Sequence, residues 1–193
     1  MGVPMFRRGF KTWSEETAAH VRQALQIAMD APLEPLRMAE YLSVPVLRPL
    51  DLSGLAPEVI GRLSASHREA WSAITVANGR HKLIVINPAH SQARQNSSLA
   101  HELAHIILDH EPSLMFMAPG SGAVLRTHNK EQEDEAGWLA GTLLLPRAAL
   151  LKIRRRRLTN EEACTEYFVS AAMLRFRLNA TGVNVQIRRA GRI

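Results

Sequence analysis

His101, Glu102, Leu103, Ala104 and His105 spell H-E-x-x-H, the tightest cluster of metal-ligand residue types in the 193-residue chain. On a helix, residues i and i+4 share a face, so His101 and His105 can offer imidazole nitrogens to a single ion. Two neutral imidazoles suit zinc, and a carboxylate next to them, here Glu102, can take a proton from metal-bound water. The pattern is the zinc hydrolase arrangement. It makes sense only on a helix, and the flanking residues predict one from Ser91 to His110: Leu99, Leu103, Ile106 and Ile107 recur at helical spacing. No Pro or Gly interrupts that stretch, with Pro88 before it and Pro112 after it.

A catalytic zinc has three protein ligands and an open position, so a third must come from elsewhere. His110 does not complete the longer H-E-x-x-H-x-x-G-x-x-H pattern, because Leu108 and Glu111 stand where Gly and His are required. The better source is the stretch from Asn129 to Leu145, an acidic helix start followed by an apolar stripe of Trp138, Leu139, Leu143 and Leu144. It offers Glu131, Glu133, Asp134 and Glu135, and the helix dipole alone favours acids in a first turn. Glu135 lies three and four residues before Trp138 and Leu139, on the face that points to the core, and is the expected ligand. Two His and one Glu suit iron or manganese as well as zinc.

The other elements are expected to frame this centre. Trp71 to Ala77 and His81 to Ile86 flank Asn78 and Gly79, a strong hairpin signal leading through Asn87 and Pro88 into the metal helix. Such a hairpin can wall a cleft, and an exposed edge can pair with an extended peptide. Upstream, a helix is expected from Thr12 to Met29 and a shorter one from Pro35 to Leu42. An extended Val44 to Leu47 follows, with Pro45 arguing for an edge, and then a helix starting at Pro57. Glu111 to Thr127 reads as an irregular segment.

Composition is that of a globular protein with a net charge of +6 and a single cysteine, Cys164, which fits a reducing compartment. No leader pattern and no membrane-length apolar run is present, so the expectation is a soluble, cytoplasmic protein. The basic residues cluster at Lys152 to Arg157 and at Arg188, Arg189 and Arg192; lacking interleaved aromatic residues, they read as a solvated face more than as a nucleic-acid site.

The blocks Leu99-Ala-His-Glu-Leu-Ala-His105, Glu133-Asp-Glu135-Ala136 and Leu143-Leu-Leu-Pro146 resemble the ImmA/IrrE metallopeptidase family, a gluzincin-like H-E-x-x-H group whose second motif is E-x-E-A-x-x-F-A-x-x-L-L-M-P. The second Glu of that motif corresponds to Glu135. The chain departs from the pattern at Gly137, Leu139 and Leu145, positions of helix packing. The resemblance implies a zinc-dependent, site-specific endopeptidase that cuts a partner helix-turn-helix repressor and so relieves repression, in stress responses, prophage or mobile elements, or toxin-antitoxin modules. In that reading Glu102 is the general base and His101, His105 and Glu135 hold the metal. His128, Arg94 and Tyr167 are available types for oxyanion stabilisation.

Thr159 to Glu162 forms a capping box for a helix, a turn follows near Val169 and Ser170, and a second helix carries Arg175 and Arg177. This pair resembles a helix-turn-helix, but a structural hairpin packed on the core is favoured over a DNA reader. Val183 to Ile187 is expected as a final strand.

The resulting expectation is an α+β, zincin-like fold: a small antiparallel sheet packed on a metal-binding helix and a glutamate-bearing helix, closed by a C-terminal helical hairpin. The chain is expected to form a single peptidase domain over 1–193. It comprises an N-terminal helical segment over 12–50, the sheet and metal core over 56–152, and the helix-turn-helix-like segment over 158–193. The rival is a non-proteolytic regulator that binds DNA or a repressor and uses metal only structurally. A small-molecule metal hydrolase is a weaker rival.

Overall fold

The computed structural model describes residues 6–54, 57–61, 71–79, 81–111, 115–117, 124–126 and 129–190. Its sheet is built on the expected hairpin. Strands β2 (Ala73–Asn78) and β3 (His81–Ile86) pair antiparallel from Ala73 opposite Ile86 to Asn78 opposite His81. Asn78 therefore belongs to the strand, and the turn begins at Gly79, whose φ of 59° is a left-handed conformation that costs glycine little. A short β1 (Val46–Leu47) lies parallel to β3, so the sheet is mixed, with order β1-β3-β2. Pro45 precedes this edge strand, as a residue without an N–H must avoid a central position. In the central strand Ile84 and Val85 are buried, while β2 forms the other edge.

Helices α1 (Phe10–Ala24), α2 (Pro35–Tyr41) and α3 (Pro57–Gly61) precede the hairpin. After it, α4 (Gln92–Ile107) starts at Ser91, whose hydroxyl caps the Arg94 N–H, and packs against the sheet. Helix α5 (Lys130–Leu144) is capped by Asn129, which accepts from the N–H groups of Glu131 and Gln132, and it packs against α4 over a long contact. Small side chains make that approach close: Ala100 and Ala104 on α4 and Ala136 and Ala140 on α5 are all fully buried. Leu99, Leu103, Leu139 and Leu143 fill the space around them, each contributing about 1.5–3 kcal/mol by leaving water.

Arg22 fastens α1 to the far end of α5. Its buried guanidinium donates to the carbonyls of Leu143 (3.0 Å) and Leu144 (3.3 Å), and to those of Ala28 and Ala31 in the loop after α1. A helix C-terminus leaves carbonyls without intrahelical partners, and here a cation supplies the donors.

Two expectations are corrected, the irregular segment and the final strand. Between residues 111 and 127 there is regular structure, since β4 (Met115–Met117) and β5 (Val124–Arg126) pair antiparallel. The basic run falls largely on a helix, α6 (Arg147–Arg155), which buries Ala149, Leu150 and Ile153. Around it Lys152 meets Asp30, Arg154 donates to Asn184 and Arg156 pairs with Glu166. The expected final strand is helix α9 (Val183–Ala190): Val183 and Ile187, four residues apart, face the core together, and Arg147 on α6 donates to Gln186.

Between them, α7 (Asn160–Tyr167) carries the Thr159–Glu162 capping box, and α8 (Ala171–Thr181) follows a tight turn through Phe168. Arg177 on α8 is fully buried, donating to the Leu145 carbonyl (3.0 Å) and to Glu15 (2.8 Å). It ties α8 to α5 and α1, so it does not offer its charge to a nucleic acid. The stem of Arg177 passes over Gly141, where an added Cβ would come within 2.7 Å of Cδ.

Candidate metal centre

The packing of α4 on α5 sets three side chains against one another. His101 Nε2 and His105 Nε2 are 3.1 Å apart, Glu133 Oε2 is 3.1 Å from the first, and Glu133 Oε1 is 3.5 Å from the second. Three atoms that can each offer a lone pair thus converge on one point, and lone pairs so placed repel unless a proton or a cation lies between them. The spacing fits the cation: donors at 2.0–2.1 Å around a tetrahedral zinc are about 3.3 Å from each other. Without metal, hydrogen bonds from His101 and then His105 hold the Glu133 carboxyl well below the usual carboxylate range, against the opposing effect of burial.

Glu135, the expected third ligand, sits elsewhere. Its carboxylate meets His110 Nε2 at 3.3 Å and Arg7 Nε at 3.9 Å. Helical geometry explains the difference. The face of α5 that approaches α4 is marked by its buried alanines, and Glu133 lies three residues before Ala136 and seven before Ala140, on that line. Trp138 and Leu139 mark the buried side of α5 in general. The paired alanines were the available signal for Glu133.

Glu102, next to His101 in the chain, is buried, with its Oε2 accepting a 2.5 Å hydrogen bond from Thr75 Oγ1 on β2. Its Oε1 has no hydrogen-bond partner among the described residues. A charge-assisted bond of this kind fixes the carboxylate rotamer and leaves one oxygen for a reacting group. Nothing in the sequence marked Thr75, since a threonine in a strand is an ordinary β former.

His110 closes the arrangement. The α4 helix ends with Asp109 in the left-handed region (φ 51°), and the His110 N–H bonds to the His105 carbonyl at 3.0 Å. That reversal lays the His110 ring against His105, Nδ1 to Nδ1 at 3.0 Å. Desolvation, opposed by the Glu135 hydrogen bond, moves the His110 pKa below the usual histidine value. Because its Nδ1 faces His105 and its Nε2 faces Glu135, His110 is not a fourth donor to the cluster.

Of the residues expected near a developing oxyanion, His128 lies outside the described residues. The Tyr167 hydroxyl donates to the Asp30 carbonyl (2.8 Å), and Arg94 donates to Ser72 at the start of the hairpin.

A helix bearing two histidines and a neighbouring carboxylate, faced by a glutamate from a second helix in an α+β fold, defines the metallopeptidase class of site. Residues 59–179 match the family model of the IrrE N-terminal-like domain, peptidase family M78, well over half the chain, and the protein belongs to that family. Comparison with curated proteins gives no match. No single helix among the described residues is long and apolar enough to cross a membrane.

Proposed function

We propose that the protein is a zinc-dependent endopeptidase that cuts a defined bond in a partner regulatory protein, a helix-turn-helix repressor, and so relieves repression. The observation that carries the reading is the convergence of His101, His105 and Glu133 with Glu102 held beside them by Thr75. In this reading Glu133 is the third ligand. Three protein donors leave a position open, which separates a catalytic site from a closed structural one.

A bound zinc would polarise a carbonyl and acidify a water at neutral pH. The protein's own groups do the rest. Glu102, its Oε2 engaged by Thr75, receives a proton on Oε1 and returns it to the leaving amine. Thr75 also places this carboxylate under the edge strand β2, whose outer side pairs with no strand among the described residues. An extended segment of a protein substrate can add to that edge through main-chain hydrogen bonds, which bring its carbonyls past Thr75 and the metal cluster. A non-proteolytic regulator has no need of a buried carboxylate next to its ligands.

The test is co-incubation of the purified protein with the repressor encoded beside it, with and without zinc, alongside Glu102→Gln, followed by intact mass. Cleavage at one bond that needs zinc and is lost in the variant supports the reading. Stable binding without cleavage in the wild type sinks it and favours a regulator.

A further inference from the structure

Beyond the three metal-facing donors, His105 has a second ring nitrogen, and where its proton sits decides whether the first can bind a cation. The contacts fix it. For Nε2 to offer a lone pair to the cluster with His101 and Glu133, a neutral His105 must carry its proton on Nδ1, which lies 3.0 Å from His110 Nδ1. His110 Nδ1 must then accept, so the His110 proton is on Nε2, 3.3 Å from Glu135 Oε2. A carboxylate accepts only, so the chain runs one way: Glu135 fixes His110, and His110 fixes His105. The geometry is anchored at both ends, since the helix-ending turn at Asp109 holds His110 over His105, and the His110 side chain is only 7% exposed.

We propose that Glu135 and His110 are positioning residues that orient His105 and select its metal-binding tautomer, a relay of carboxylate, imidazole and imidazole in series. This rests on the reading that His101, His105 and Glu133 hold the metal. It assigns roles to two side chains that touch neither metal nor substrate. Partners of this kind are worth about 10–100-fold in metal affinity where they have been removed from other sites. Because the two act in series, removing both costs little more than removing His110 alone.

The experiment is zinc competition with a chelating dye on the full chain, for the wild type, His110→Ala, Glu135→Gln and the double variant. It is joined by nitrogen-15 spectra of the ring nitrogens of the zinc-loaded wild type. The expected result is a 10–100-fold weaker zinc affinity in each single variant, with the double variant matching His110→Ala. The spectra should show His105 protonated on Nδ1 and His110 on Nε2. Wild-type affinity in both single variants, or losses that multiply in the double variant, would overturn the relay. So would the opposite tautomers in the wild type, a result that needs no variant to fold. A wild-type protein that binds no zinc overturns the metal-site reading itself, which separates that failure from this one.

Discussion

Replacing Glu133 by Gln tests the centre most directly, because it separates the two acids that the sequence offers two residues apart. The substitution keeps size and helix position but removes the negative charge that lies 3.1 Å from His101 Nε2 and 3.5 Å from His105 Nε2. Four-ligand structural zinc sites gain about 10–16 kcal/mol on binding, so one ligand is worth about 3 kcal/mol, or about a hundredfold in affinity. A ligand that binds only the folded state stabilises it in proportion to the logarithm of its concentration over its Kd, so at fixed excess zinc a hundredfold loss in affinity removes about 2.7 kcal/mol of stabilisation. For a chain of this size that is a Tm lower by about 5–11 °C relative to the zinc-loaded wild type. Dye competition and zinc-dependent melting measure the two quantities independently. Glu135→Gln, acting only through His110, should lose less. If Glu133→Gln binds zinc as tightly as wild type while Glu135→Gln loses more, the assignment of Glu133 is wrong and the expectation from the apolar stripe of α5 was right.

Three further outcomes follow from single contacts. Thr75→Val keeps the strand-forming shape but removes the hydrogen bond to Glu102, and should lower kcat/KM by about 10–150-fold, the worth of a bond to a charged group, with zinc affinity unchanged by dye competition. Gly141→Ala forces a methyl to within 2.7 Å of the buried Arg177 stem and should destabilise the fold by about 1–3 kcal/mol in urea titration; an unchanged midpoint would mean that α8 yields more readily than its buried hydrogen bonds suggest. In the metal-free protein, the depressed Glu133 carboxyl contributes stability that is present above its unfolded value, about 4.3, and is lost as pH falls toward its lower folded value. Melting curves of wild type and Glu133→Gln should therefore converge as pH is lowered through that window, and parallel curves would contradict it.

The local parts are set by short stretches of chain. Helical spacing and Ser91 set α4 with His101 and His105 on one face, β-branched runs around Gly79 set the hairpin, and Thr159 with Glu162 set the start of α7. These depend on periods and caps that a few neighbouring residues decide. Residues far apart in the chain could be ranked only by type. Which acid of α5 meets the metal face depends on the rotation of one helix against another, and that was decided by Ala100, Ala104, Ala136 and Ala140 letting the backbones close. Thr75 reaches Glu102, Arg177 turns inward over Gly141, and Val183 to Ala190 coils against α6 instead of joining the sheet, each through a partner distant in sequence. A charged or β-branched residue carries no local mark of such a partner, because burial and hydrogen bonding are fixed only when the helices and the sheet have packed.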